Sequence, residues 1–146
     1  MRDNLELRIK YLSPDIEPIK QAHAGEWYDL RCARDIYMEP GEFMMIPLGV
    51  AMQLPEGYEA IVAPRSSTFK NYGILLANGI GIIDQLYSGP EDQWHFPAYA
   101  TRETSIKKNE RICQFRVLKC QPTLKIVQVD ELYGVNRGGL GSTGRM

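Results

Sequence analysis

What this chain has little of narrows its identity first. It carries three cysteines (Cys32, Cys113, Cys120) and two histidines (His23, His95) in 146 residues. No pair of cysteines has Cys-x-x-Cys spacing and their number is odd, so neither a disulfide framework nor a zinc site is supported. Reduced thiols in a cytoplasmic protein are expected instead. No apolar run approaches the ~20 residues that span a bilayer, which excludes a helical membrane anchor. The polar stretch Met1-Arg2-Asp3-Asn4-Leu5-Glu6 lacks the apolar segment of a secretory signal. The formal net charge is only −1, so no electrostatic case exists for nucleic acid as the main partner. Long amphipathic stretches at helical spacing are also missing, and that turns attention to strands.

Short apolar runs alternate with Gly and Pro punctuation from end to end. Leu5-Glu6-Leu7-Arg8-Ile9-Lys10-Tyr11 alternates apolar and polar, the period of a half-buried strand. Further strands are expected over Phe43–Leu54, Tyr58–Ala63, Gly81–Tyr87, Trp94–Thr101, Arg111–Lys119 and Leu124–Val129. Pro40-Gly41, Pro55-Glu56-Gly57, Gly89-Pro90 and Lys107-Lys108-Asn109-Glu110 supply the turns. One short helix is expected from Ser66 to Tyr72, capped by Ser66 and ended by Gly73. The pattern predicts a single all-β domain, a sandwich or barrel, over residues 1–135.

Residues 136–146 stand apart. Gly138, Gly139, Gly141 and Gly144 lie with Ser142 and Thr143 between Arg137 and Arg145, a stretch with too little apolar surface to order itself alone. Its N–H groups, hydroxyls and guanidinium suit a polyphosphate, and a frayed terminus explains the composition equally well. A Walker P-loop is excluded, because no Lys follows the glycines and no helix can.

Four internal segments carry chemistry. At Ala63-Pro64-Arg65-Ser66-Ser67-Thr68 a strand meets a helix start, where Arg65 and the serines can receive an anion or simply cap the helix. Asn78-Gly79-Ile80-Gly81-Ile82-Ile83-Asp84-Gln85-Leu86-Tyr87 reads as a hairpin whose glycines admit a flat ligand. Asp84 can orient a water there or close an Asx turn, and Tyr87 can pack on a sugar or fill core. In Arg111-Ile112-Cys113-Gln114, the Gln114 amide can donate to a phosphate or lie on a solvated face. Asp29, amid Trp27 and Tyr28, is a structural acceptor or an outer-sphere group for a metal.

In this order, these segments and the terminal arm resemble the trimeric dUTPase family. Gly25 to Leu30, Pro64-Arg65-Ser66-Ser67, Gly81 to Gly89, Arg111 to Gln114 and Arg137 to Gly144 are similar to its five motifs. The resemblance implies a distorted, jelly-roll-like β-clip barrel with one short helix and a mobile C-terminal arm. It implies hydrolysis of dUTP to dUMP and pyrophosphate, with Asp84 orienting the water that attacks the α-phosphorus. Arg65, Ser66, Ser67 and Gln114 would hold the triphosphate, and Arg137, Gly141, Ser142 and Thr143 would close over it. Asn78, Gly81, Ile82 and Ile83 would read the uracil edge, with Tyr87 under the deoxyribose. Mg2+ would be carried by the triphosphate and waters, with Asp29 in its outer sphere, and three copies would share each site.

The chain departs from that pattern where Ser88 replaces an arginine and Leu140 stands where many members carry a phenylalanine that stacks on uracil. An aromatic from Trp94-His95-Phe96 is expected either to supply that cover or to belong to the core. The related dCTP deaminase shares the fold and an Arg-Ser-Ser segment, but its chemistry needs a glutamate soon after the hairpin. Trp94-His95-Phe96-Pro97-Ala98-Tyr99 has none. A dUTPase-like binding protein, whose arm controls a regulatory protein partner, is the alternative of another class.

Overall fold

The computed structural model describes residues 5–139. Its strands are β1 (Arg8–Tyr11), β2 (Tyr28–Arg31), β3 (Ile36–Met38), β4 (Phe43–Pro47), β5 (Val50–Gln53), β6 (Tyr58–Pro64), β7 (Ile74–Leu76), β8 (Gly81–Ile83), β9 (His95–Ala100), β10 (Thr104–Ile106) and β11 (Arg111–Lys119), with α1 (Thr68–Tyr72) between β6 and β7. The strands pair as β1-β5, β10-β3, β2-β11-β6-β8 and β4-β9-β7. Each pairing is antiparallel. The expected all-β class with one short helix is therefore what forms.

One apolar cluster ties the sheets together. Leu30, Val62 and Phe115 share it with Ile46, Ile74, Trp94 and Phe96. At its centre Trp94 meets Phe115 edge-on, with centroids 5.3 Å apart, and Phe115 stacks on Tyr28 at 5.4 Å. Such aromatic pairs add roughly 0.5–1.5 kcal/mol beyond the area they bury.

Several boundaries differ from the sequence pattern for identifiable reasons. The Phe43–Leu54 run breaks into β4 and β5 at Gly49, which has φ 71°. A Cβ there would lie 2.9 Å from Ile16 Cγ1, so both the backbone angle and the space require glycine. The Gly81–Tyr87 run keeps strand form only to Ile83. The short strands β2, β3, β7 and β10 have too few residues to display a period.

The helix starts at Thr68, two residues later than expected, with Ser67 at its N-cap and no side-chain capping bond. Ser66 does not cap it. Thr68 anchors the turn instead: its hydroxyl accepts from Arg65 N–H at 2.8 Å and donates to the Ile112 carbonyl at 2.7 Å. Gly73 ends the helix as expected, at φ 64°.

Leu124–Val129 is not a strand. Residues 121–139 have neither helix nor strand and are exposed throughout. Ile126 is 94% exposed, Leu132 86% and Tyr133 96%. Its apolar side chains, Leu124, Ile126, Val127 and Val129, are all exposed, and no described residue covers them.

Candidate active site

The chemistry-bearing residues fall into two groups at opposite ends of β6. The first lies where β6 delivers Arg65. β11 runs between β2 and β6, so Gln114 has Asp29 on one side and Ala63 on the other. Asp29 Oδ1 accepts from Arg65 Nε at 3.1 Å, and its Oδ2 meets Arg111 Nη1 at 3.3 Å. One carboxylate thus holds two guanidiniums from two chain segments.

Arg111 reaches that position through an irregularity. The β11–β2 register shifts between Arg111 and Cys113. Ile112 is the extra residue, so Ile112 and Cys113 both turn inward while Arg111 stays exposed. Gln114 donates one amide proton to the Pro64 carbonyl at 3.1 Å, leaving its other donor uncommitted. Ser66 is exposed and Ser67 half-buried.

Behind this group Tyr72 donates to Glu110 Oε2 in a short hydrogen bond. Burial, and then this bond, push the Tyr72 hydroxyl up to about 12. It is a neutral donor at physiological pH. Burial likewise raises the Cys32 thiol to about 11 and pushes Cys113 up further. Neither is a nucleophile of the site.

The second group surrounds a pocket of about 290 Å³, lined among others by Asn78, Gly81, Ile82, Ile83, Asp84 and Tyr87. Every residue expected to read the base, fit the sugar or orient the water is here. Gly81 sits tightly against β6: a Cβ would stand 3.0 Å from Val62 Cβ and 3.3 Å from its carbonyl oxygen, so a larger residue would have to push that strand aside. Asp84 fulfils both of its readings, since Oδ1 accepts Leu86 N–H at 2.7 Å in an Asx turn while the residue lines the pocket. Tyr87 donates its hydroxyl to the Gln93 carbonyl at 2.8 Å, which holds the ring at the rim.

Trp94 and Phe96 are fully buried, so neither can cover a base from the solvent side; they are core residues. His95 is the member of that cluster that reaches the pocket half-exposed, its Nδ1–H held by the Gln93 carbonyl at 2.9 Å. The sequence pattern named His95 only within the Trp94-His95-Phe96 cluster and gave Arg111 and Thr68 no role of their own. Their signal is positional: each sits beside a motif residue on a paired strand or turn. Arg137 is exposed. Leu140, Gly141, Ser142 and Thr143 lie outside the described residues.

The two groups do not meet within one chain. β8 runs antiparallel to β6 with Ile83 opposite Ala60. Asp84 therefore leaves the sheet beside the start of β6, while Arg65 leaves it at the end. At about 3.3 Å per residue, the six steps from Glu59 to Arg65 separate these points by about 20 Å. A larger opening of about 580 Å³, walled by Leu7, Ile9, Tyr28, Tyr58 and Phe115, touches neither group.

Comparison with known proteins gives the family. The dUTPase family model matches residues 13–144. A prophage-derived deoxyuridine 5'-triphosphate nucleotidohydrolase of Bacillus subtilis is 51% identical over 140 residues, covering 96% of this chain and 99% of that protein. A mutant dUTPase of Staphylococcus bacteriophage 80alpha with dUpNHpp superposes with a TM-score of 0.77 at 23% identity, covering 95% of this chain and 98% of the other. A mutant dUTPase from phage phi11 of S. aureus, described with a structural Mg(II) ion, gives 0.73 at 19% identity, covering 86% and 97%. The family match and the 51% identical relative mark a nucleotide hydrolase. The chain belongs to the dUTPase family. It hydrolyses dUTP to dUMP and pyrophosphate. No described helix is long and apolar enough to cross a membrane.

Proposed function

We propose that this hydrolysis takes place in sites shared between copies of the chain in a cytoplasmic homotrimer. The separation of about 20 Å along β6 carries the reading. A single triphosphate cannot have its α-phosphorus at Asp84 and its outer phosphates at Arg65 of the same copy. Large exposed side chains around the hairpin support a second copy there: Ile80 is 47% exposed, Ile82 64% and Leu86 89%. The uncovered apolar side chains of residues 121–139 support a third contribution, because apolar exposure of that kind marks an interaction surface.

In the assembled site, Asn78 and the backbone of Gly81, Ile82 and Ile83 read the uracil edge, and Tyr87 packs under the deoxyribose. The Asp84 carboxylate orients a water and takes its proton as the water oxygen bonds to the α-phosphorus. The bond from that phosphorus to the bridging oxygen breaks, and pyrophosphate leaves with the electron pair. Arg65, Ser66, Ser67 and Gln114 of a second copy hold the phosphates and meet the charge that develops on the leaving group. Arg137, Gly141, Ser142 and Thr143 of a third copy close over them.

The residues present suit Mg2+. Asp29 is a hard carboxylate among the phosphate-side cations, and no cage of three or more His, Cys, Asp or Glu exists among the described residues. Mg2+ keeps several waters and binds through one or two carboxylates plus phosphates, so Asp29 would face its water shell. When bound, the ion supplies charge neutralisation on the triphosphate.

Light scattering tests the assembly. A mass of three chains is expected, and replacing Ile126 and Leu132 together by aspartate is expected to lower it and to abolish turnover. A fully active single chain would overturn the shared-site reading.

A further inference from the structure

Thr68 is one of two buried polar side chains among the described residues and is 1% exposed. It is the first residue of α1, yet its hydroxyl is spent away from the helix. The oxygen accepts from Arg65 N–H at 2.8 Å and donates to the Ile112 carbonyl at 2.7 Å. Thr68 N–H returns to the Arg65 carbonyl at 3.0 Å. Arg65 to Thr68 is thereby a turn closed at both ends, with Ser66 and Ser67 inside it.

The sheet explains where this hydroxyl stands. β6 and β11 pair as far as Pro64 opposite Cys113, and there the ladder ends. The same register carried one step further sets Arg65 opposite Ile112, the extra residue of the β11 irregularity. At that step the hydroxyl lies between Arg65 N–H and the Ile112 carbonyl and serves both. A buried hydroxyl is costly unless its partners are in place, and valine would fill the same space without it. The guanidinium takes a second bearing from the same strand, since Arg65 Nη1 donates to the Arg111 carbonyl at 3.4 Å. That contact is exposed, so water competes for it, whereas burial keeps water from Thr68.

We infer that Thr68 is a positioning residue for the triphosphate. Its hydroxyl sets the Arg65–Thr68 turn against the β11 irregularity, so that Arg65, Ser66 and Ser67 are presented to the outer phosphates in one arrangement. Buried as it is, Thr68 itself touches no phosphate. The inference rests on the assignment of the outer phosphates to Arg65, Ser66 and Ser67.

Calorimetric titration of the full-length assembly tests this with two probes: dUpNHpp, a non-hydrolysable dUTP analogue, and dUMP, which lacks the outer phosphates. Thr68→Val removes the hydroxyl and keeps the shape. It is expected to weaken dUpNHpp about tenfold, the size of one neutral hydrogen bond, and to leave dUMP within about twofold of wild type. Thr68→Ser keeps the hydroxyl and is expected to restore dUpNHpp affinity. A role in the fold alone would not separate the two nucleotides. Arg65→Ala is the reference, expected to weaken dUpNHpp and to spare dUMP. If it does so while folded Thr68→Val binds dUpNHpp normally, or loses both nucleotides equally, the inference fails and the phosphate assignment stands. If Arg65→Ala leaves dUpNHpp unchanged, both fail. Should Thr68→Val not fold, Thr68→Ala is read in its place. If neither folds, the hydroxyl belongs to the fold alone and the inference is overturned.

Discussion

Asp29 reaches Arg65 across the width of β11: its strand β2 and strand β6, which Arg65 directly follows, flank β11, and Asp29 Oδ1 meets Arg65 Nε at 3.1 Å. The same carboxylate holds Arg111, so its charge sets where two cations stand. Asp29→Asn keeps the shape and removes that charge. The expected result is a fall in kcat/KM of tenfold or more, since charge-assisted bonds at this site carry about 1.5–3 kcal/mol. The melting temperature is expected to move little, because the Asp29 side chain is 32% exposed and such pairs contribute little to stability. Initial rates and a thermal melt check both parts.

Asp84→Asn separates the two roles of that residue. The amide oxygen can still accept Leu86 N–H, so the turn and the fold are expected to persist. The proton acceptor is lost, and kcat is expected to fall by about 10²–10⁴ with dUTP binding largely kept. Pyrophosphate release measured beside nucleotide titration gives the comparison. Unchanged turnover would remove Asp84 from the mechanism.

Phe96→Ala is expected to act on the fold and not on the base. Phe96 is fully buried on β9, so its truncation is expected to cost about 3–5 kcal/mol of stability. Any fraction that folds is expected to keep a near-normal KM. A stable protein with a selectively raised KM would restore the idea that this side chain covers uracil.

Alkaline pH is expected to destabilise the protein through buried Cys32 and half-buried Tyr72. Burial, then bonding to Glu110, raises Tyr72 from 10.0 to about 12. Burial raises Cys32 from 9.0 to about 11. Both values are higher in the folded chain, so their stabilisation is complete below the ordinary values and is lost as pH rises through the raised ones. The melting temperature is expected to fall from pH 9 toward 12, and Tyr72→Phe is expected to flatten the upper part. Native alkylation at pH 8 is expected to spare Cys32 and Cys113.

Sequence alone carried the order of the five segments and the β class, because each motif is a local run and strand periods survive wherever one face meets solvent. It could not show that Arg65 and Asp84 stand at opposite ends of β6, since that follows from the β6–β8 register. Nor could it show Asp29 clamping Arg111, which needs the extra residue at Ile112. Leu124–Val129 is a short run rich in β-branched residues but has no partner strand among the described residues. Such a run reports that a face must be covered and is silent about what covers it.

The division of the site between copies is tested most directly by mixing two inactive variants, Asp84→Asn and Arg65→Ala, through co-expression. In a mixed assembly some sites draw the intact hairpin from one copy and the intact arginine from the other. Random mixing is expected to restore about a quarter of wild-type turnover, from two proteins that are each nearly inactive alone. Mixed assemblies that form but show no recovered hydrolysis would contradict the shared site.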